Sequence, residues 1–461
     1  MFRKFIIFIL MSFGPLAWTQ QVLDLDTFLG YVKSNHPYLK QANIKLSESE
    51  AKLLKRRGAF DPKFAFEKKG KTFKGMTYYE TQNTKLTIPT LYGMSLETGV
   101  QTAAGAFLNP ENQLTGELLF GVGASFELGR GLLSNPRQTA LKQAKLYTQQ
   151  AQEENALQIN SILTAAAHSY LEWYKAFRVF AMYDQFVTNA AFRFEGVKKR
   201  MAAGDLAVID TTEARIAYNQ RLLSKENARM ELRKKAIKAS NYLWIDEQAV
   251  VIRESFQPAL DLKEFLQQFV PDSFSLEQHP KLQMLRYKKE QLKLEKRLQR
   301  NSLLPQVRFS YQWLSESEPF QNLGIAVDPD NQTAALKVAL PLFLRKERAT
   351  LKLASLALED LEWEQLQARV QLQNSIQVLD IQKKRLANQN DIAQAMVSDY
   401  QLLFDGEKKK FAAGESSLFL VNARESKLIE AMLQSISLEI ALQKAYINYF
   451  YSIRFPSLTE G

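Results

Sequence analysis

The 461-residue chain contains no cysteine and only three histidines. Without thiols it has no disulfide and no cysteine-linked lipid anchor, which suits an exported protein. His36 and His279 each precede a proline at a helix break, and His168 lies inside a helical stretch. They form no metal set and are read as structural. Long apolar runs are as scarce. The one candidate, Phe5 to Phe13, falls far short of the roughly 20 residues that a membrane-spanning helix needs. A mature chain that enters a bilayer must therefore do so as a closed β-barrel. Nothing resembles a Ser-His-Asp set or a pair of catalytic carboxylates. Gly121-Val122-Gly123 lies within an alternating stretch, where small residues ease close packing, and lacks the spacing of a nucleotide loop. No enzyme, cofactor or metal is indicated. The formal net charge of +11 raises nucleic acid as a partner. Basic residues scattered along helices, away from aromatic clusters, speak against it.

What is present begins with an export signal. Arg3 and Lys4 precede the apolar run, Gly14-Pro15 break it, and small residues follow at Ala17 and Thr19. Residues 1–19 read as a secretory signal, cleaved near Gln20. The rest is an internal duplication. Lys198-Lys199-Arg200-Met201-Ala202-Ala203-Gly204-Asp205 returns 210 residues later as Lys408-Lys409-Lys410-Phe411-Ala412-Ala413-Gly414-Glu415. Leu141, Lys142, Ala144, Phe194 and Gly196 recur at the same offset as Leu351, Lys352, Ala354, Phe404 and Gly406. Upstream, Asn35-His36-Pro37 and Asp61-Pro62 answer to Gln278-His279-Pro280 and Leu304-Pro305 at an offset of 243. The drop from 243 to 210 means that copy one carries 33 extra residues between Pro62 and Leu141, where the halves are expected to differ. One body of two similar halves follows, with a first repeat over 20–255 and a second over 256–461.

Apolar spacing of three and four in Ile159, Ile162, Leu163, Ala166, Tyr170, Trp173, Tyr174, Phe177 and Phe180 marks a packing stripe. The 67 residues from Arg137 to Ala203 contain no proline and make roughly 100 Å of helix. No globular domain is that long. A glycine followed by an acid then predicts a helix stop and an immediate restart. Gly204 or Gly414 takes the left-handed position, and Asp205 or Glu415 sits in the next helix's first turn. Each copy predicts a long helical hairpin, over about 136–245 with its tip at 204 and about 346–453 with its tip at 414. Shorter helices precede: Leu23 to Lys55, broken at His36-Pro37, and 262–303, running through Phe274 and broken at His279-Pro280. Asp61-Pro62 and Leu304-Pro305 end them.

Between the helices the period shifts to two. Leu118, Phe120, Val122, Ala124, Phe126 and Leu128 alternate with smaller or polar residues, as do Val307, Phe309, Tyr311 and Trp313. Strands with one apolar face are expected over about 63–130 and 305–344. They turn at Asn109-Pro110-Glu111-Asn112 and Asp328-Pro329-Asp330-Asn331. Two hairpins make four strands, too few to close a membrane barrel, so closure requires several chains. Trp244, Trp313, Trp363 and Tyr449 read as core or membrane-interface aromatics.

Taken in order, these residues resemble the TolC family of outer-membrane efflux and secretion proteins over essentially the whole mature length. The resemblance rests on the opening Asn35, Pro37 and Leu39, echoed by Pro280 and Leu282, on the strand blocks, and on two tip motifs. The first runs Ala203-Gly204-Asp205-Leu206-Ala207-Val208-Ile209-Asp210-Thr211-Thr212-Glu213-Ala214, the second Ala413-Gly414-Glu415-Ser416-Ser417-Leu418-Phe419-Leu420-Val421. It implies a mainly α fold with a β-barrel portion. Each chain of a homotrimer would lend four strands to a shared twelve-stranded transmembrane barrel in outer-membrane lipid, continued by a long α-helical barrel through the periplasm of a Gram-negative bacterium. The implied function is a passive exit duct of a tripartite efflux or type I secretion system. It opens at its periplasmic tip and is coupled to an inner-membrane transporter through a periplasmic adaptor (membrane fusion) protein. The alternative is a periplasmic coiled-coil scaffold or chaperone, which has no need of alternating strands. The 33 extra residues, with Tyr78-Tyr79 and Ile88-Pro89, are either added strands or a periplasmic embellishment.

The residues implied to meet the adaptor are Lys198, Lys199, Arg200, Ala203, Gly204 and Asp205 at one tip, and Lys408, Lys409, Lys410, Ala413, Gly414 and Glu415 at the other. The basic triplets also offset the negative helix end, worth about 0.3–1 kcal/mol each, and both roles stay open. Some family members carry gate carboxylates at the sixth and ninth positions after the tip glycine. Here these are Asp210 and Glu213 in copy one, but Leu420 and Ala423 in copy two. Asp210 and Glu213 share a helix face. Lining a threefold bore, they would set six carboxylates near its narrow end and favour cations. The other reading is a solvated or intersubunit face, paired with Arg215 or Arg200.

Overall fold

The computed structural model describes residues 21–114, 116–131, 134–260, 275–316, 330–453 and 455. The signal at 1–19, the helix expected through Leu262–Phe274 and the Asp328-Pro329 turn fall outside them. The chain divides into two units, one drawn from 1–40, 159–274 and 375–455, the other from 41–158, 275–374 and 456–461. The long helices α3 (Pro136–Ala202) and α6 (Arg345–Ala412) contain 67 and 68 residues. Their returning partners are α4 (Val208–Ser240) and α7 (Leu418–Ile453).

The first unit is helical apart from short strands. Its core gathers Phe28 and Val32 of α1 (Leu25–Asn35), Ala166, Tyr170 and Trp173 of α3, Ala239 of α4 and Ile447 of α7, all at most 1% exposed. Asp24 caps α1 by accepting the Thr27 N–H at 2.7 Å. Before it, β1 (Gln21–Asp24) pairs in parallel with β8 (Phe256–Ala259), which follows the short antiparallel pair β6 (Trp244–Ile245) and β7 (Gln248–Ala249). The sequence predicts a helix already from Leu23, which the structure places in β1. A four-residue strand carries no usable alternation, and its partner lies more than 200 residues away. Tyr170 fixes this joint: its Oη lies 2.7 Å from both the Leu23 and Ala259 carbonyl oxygens and accepts the Ala259 N–H at 3.1 Å. Burial pushes its phenol well above the ordinary tyrosine range.

In the same unit Glu172 of α3 accepts Lys235 of α4 at 2.7 Å and Lys444 of α7. Burial alone would raise the carboxyl, but the two ammonium groups hold it at about 2. A folded value below the unfolded one, near 4.3, stabilises the fold above about pH 4.3, and that stability is lost as pH falls toward 2. Glu172→Gln is therefore expected to lower the melting midpoint at pH 7, and the gap to the unsubstituted protein should shrink between pH 4 and 2. A gap independent of pH would refute the pairing.

The second unit holds β2 (Lys63–Phe73), β3 (Met76–Pro89), β4 (Met94–Ala104), β5 (Leu119–Gly129), β9 (Gln306–Ser315) and β10 (Gln332–Ala339). They form one antiparallel sheet in the order β10-β9-β5-β4-β3-β2. Among the described residues this corrects the expected four strands of the sheet to six. β2 starts 243 residues before β9, and β5 ends 210 before β10, so these are the duplicated pairs. The surplus is the β3–β4 hairpin, which makes the extra residues added strands. At the helix starts, His36 and His279 play one role twice. Each Nδ1 accepts the N–H two residues on, from Tyr38 at 3.3 Å and Lys281 at 3.0 Å, and so caps α2 (Pro37–Arg57) or α5 (Pro280–Asn301). Burial lowers His279 to about 4, which keeps that nitrogen a lone-pair acceptor.

Candidate functional site

Ladder register puts alternate residues of all six strands on common faces. One face carries Phe64 and Phe66, Leu86 and Ile88, Leu96 and Val100, Phe120 and Phe126, Phe309 and Trp313, and Leu336 and Val338. The other carries Glu67, Asn83, Lys85, Glu97, Gln101, Ser125, Glu127, Arg308, Gln312 and Lys337. Glu97 organises the polar face across four strands, accepting Lys85 at 2.7 Å, Ser125 at 3.0 Å and Gln312 at 3.2 Å. Arg308 and Glu127 pair beside it at 3.0 Å. Toward the β2–β3 turn the apolar face ends in Lys68 and Glu80, paired at 2.7 Å, and in Tyr78 against Phe107. A sheet apolar on one side and hydrogen-bonded on the other fits a wall between lipid and water. Among the described residues no helix is long and apolar enough to cross a membrane.

The tips lie in the helical unit. At both, the chain leaves the helix by a Schellman turn: Asp205 N–H reaches the Arg200 carbonyl at 2.9 Å, Gly204 N–H that of Met201 at 3.0 Å, and the second copy repeats this from Glu415 and Gly414. Gly204 and Gly414 have φ of 85° and 82°. The restart is later than the sequence suggests. α4 and α7 begin at Val208 and Leu418, so Asp205 and Glu415 belong to the turns and not to a first helical turn. Gly204→Ala is expected to cost about 1–2 kcal/mol. No atom lies within 4 Å of the added Cβ, so the cost is conformational and should be readable as a lowered melting midpoint.

The two tips pack together through Val197, Ala214 and Leu418, with Phe194, Leu206 and Phe411 around them. Arg200 stacks over Phe411 at 5.5 Å, Lys198 pairs with Glu195 at 2.8 Å, and Lys408 approaches Asp405 at 3.6 Å. Lys199, Lys409 and Lys410 are exposed, as are Ala203 and Ala413. Asp210 accepts the Ala207 N–H at 3.1 Å and so caps α4, while Glu213 accepts Asn422 of α7 at 3.1 Å. Val208, Ile209, Phe419 and Leu420, which belong to the tip motifs but to which the sequence assigns no contact role, are 72, 70, 66 and 42% exposed. The available signal was an apolar pair directly after each turn. Trp363, read as core or interface, is 66% exposed on α6.

No family model and no curated protein matches the sequence. Solved structures do. The CmeC outer membrane channel of Campylobacter jejuni superposes with a TM-score of 0.65 at 13% identity, over 93% of this chain and 85% of that one. VceC, an outer membrane protein of Vibrio cholerae, gives 0.61 at 12% identity, over 93% and 95%. The open state of the MtrE outer membrane channel of Neisseria gonorrhoeae gives 0.58 at 13%, over 96% and 93%. The fold is that of the TolC-like outer-membrane channels, mainly α with a β portion.

Proposed function

We propose that the protein is an outer-membrane exit duct of an efflux or secretion assembly. The six-stranded sheet, apolar on one face and polar on the other, carries the reading; a periplasmic scaffold would have no use for it. In this reading the chain works as a homotrimer in the outer membrane of a Gram-negative cell. Its tips meet a periplasmic adaptor that links it to an inner-membrane transporter. Exposed Lys199, Lys409 and Lys410 offer charge to an acidic partner, and Val208, Ile209, Phe419 and Leu420 offer the apolar contact that charge alone lacks. Lys409→Glu with Ile209→Lys is expected to abolish capture of the adaptor while leaving trimer and melting midpoint unchanged. Undiminished capture would remove the tips from the interface. Asp210 and Glu213 would lend negative charge to the narrow end, and unchanged ion selectivity in Asp210→Ala/Glu213→Ala trimers would remove that role. The governing experiment is fractionation. A detergent-extracted trimer from outer membranes is the expected result, and a soluble monomer or dimer overturns the proposal.

A further inference from the structure

The ends of the sheet specify how copies join. Among the described residues β2 and β10 are its edge strands, each paired on one side only, and every residue of both is exposed. On these edges Phe64, Phe66, Leu336 and Val338 are 72, 59, 67 and 61% exposed. Apolar side chains thus line one face of both open edges, although β2 also carries Lys68, Lys69 and Lys71; an open edge is a template for pairing, and inside lipid an unpaired backbone group is strongly unfavourable. Among the described residues of one chain the edges do not meet, and six strands is fewer than the smallest common membrane barrel. What covers them is a second copy, because the two edges suit each other. With an even strand number in a wholly antiparallel sheet, β10 and β2 run in opposite directions. β10 of one copy can thus pair antiparallel with β2 of the next, keeping the apolar faces continuous.

We infer that β10 of one copy pairs with β2 of the next, so that all six strands of each copy, the β3–β4 hairpin included, enter the barrel wall. This rests on the trimeric duct proposed above. Three copies of six strands close eighteen, and since diameter grows roughly linearly with strand number, the lumen is about half as wide again as a twelve-stranded one. The competing arrangement leaves β2 and β3 out of the wall and pairs β10 with β4 of the next copy.

Cysteine cross-linking separates the two in a chain with no native thiol. Ala335→Cys or Lys337→Cys on β10 is combined with Ala65→Cys or Lys69→Cys on β2, or with Gln101→Cys on β4. A short thiol cross-linker is applied to trimers in outer membranes. Linked trimers through β10 and β2, with none through Gln101→Cys, are expected. Cross-linking through Gln101→Cys, or no link from β10 to β2 in an intact outer-membrane trimer, overturns the inference and leaves the duct reading standing. A soluble chain overturns both. As a second measurement, neutral polymers added from the barrel side, away from the narrow tips, should enter the lumen in single-channel recordings up to about one and a half times the width that a twelve-stranded barrel admits. Exclusion at the narrower size counts against eighteen strands.

Discussion

Replacing Glu425 with alanine is expected to lower stability by about 3–5 kcal/mol, the cost of breaking a buried ion pair from one side. Glu425 of α7 is fully buried. It accepts Arg193 of α3 through both oxygens at 2.8 Å and Arg221 of α4 at 3.3 Å, while Arg221 also donates to Ser426 at 2.8 Å. One carboxylate therefore holds three helices against two guanidinium groups that are only 14% and 11% exposed. Removing it leaves two like charges facing each other in a site largely closed to water. Glu425→Gln keeps the shape and loses the charge, so its loss should be smaller, on the order of 1.5–3 kcal/mol. Melting of the helical circular-dichroism signal in detergent reads both variants. A loss under about 1 kcal/mol for Glu425→Ala would mean that the arginines find other partners.

Gly123→Ala is expected to prevent assembly, whereas Gly121→Ala, two residues away on the same face, is expected to be tolerated. A Cβ on Gly123 would stand 2.1 Å from the Tyr311 carbonyl oxygen and 2.6 Å from the Gln312 Cα. These are backbone atoms of β9, the strand that joins the second repeat to the first, so the clash is relieved only by parting β5 from β9. That exceeds ordinary overpacking, and we expect a loss upward of about 3 kcal/mol. A Cβ on Gly121 meets the Gln312 and Leu314 side chains at 3.6 Å, an ordinary contact. On the proposed duct, the yield of outer-membrane trimer measures both. Equal behaviour of the two variants would refute the close approach.

How far the sequence reached depends on the kind of interaction. The α3 and α6 ends fall within two residues of the expected tips, because a Schellman turn is made by residues that sit together in the chain. The alternation in β5 and β9 was visible for the same reason. The β3–β4 hairpin was less so: Thr81 to Thr84 and Thr98 to Thr102 include polar residues on both faces, which blurs the apolar alternation. In the sequence Asp210 reads as a gate carboxylate or as part of a solvated or intersubunit face; its hydrogen bond from the Ala207 N–H, which makes it a cap, is a matter of three-dimensional aim.

The Glu425 cluster was out of reach altogether. At the repeat offset of 210 its counterpart is Arg215, which is exposed, so the duplication gives no hint that this position is buried. The chain's own pattern determined the duplication, the long proline-free helices, the tip turns and the two-faced strands, since each depends on neighbours or on a period. Only the tertiary structure decided that six strands form one sheet, which edges it leaves open, where a glycine must stay small and which carboxylate is buried. Those depend on partners many residues away, whose meeting is fixed by packing and by the demand that buried polar groups be paired.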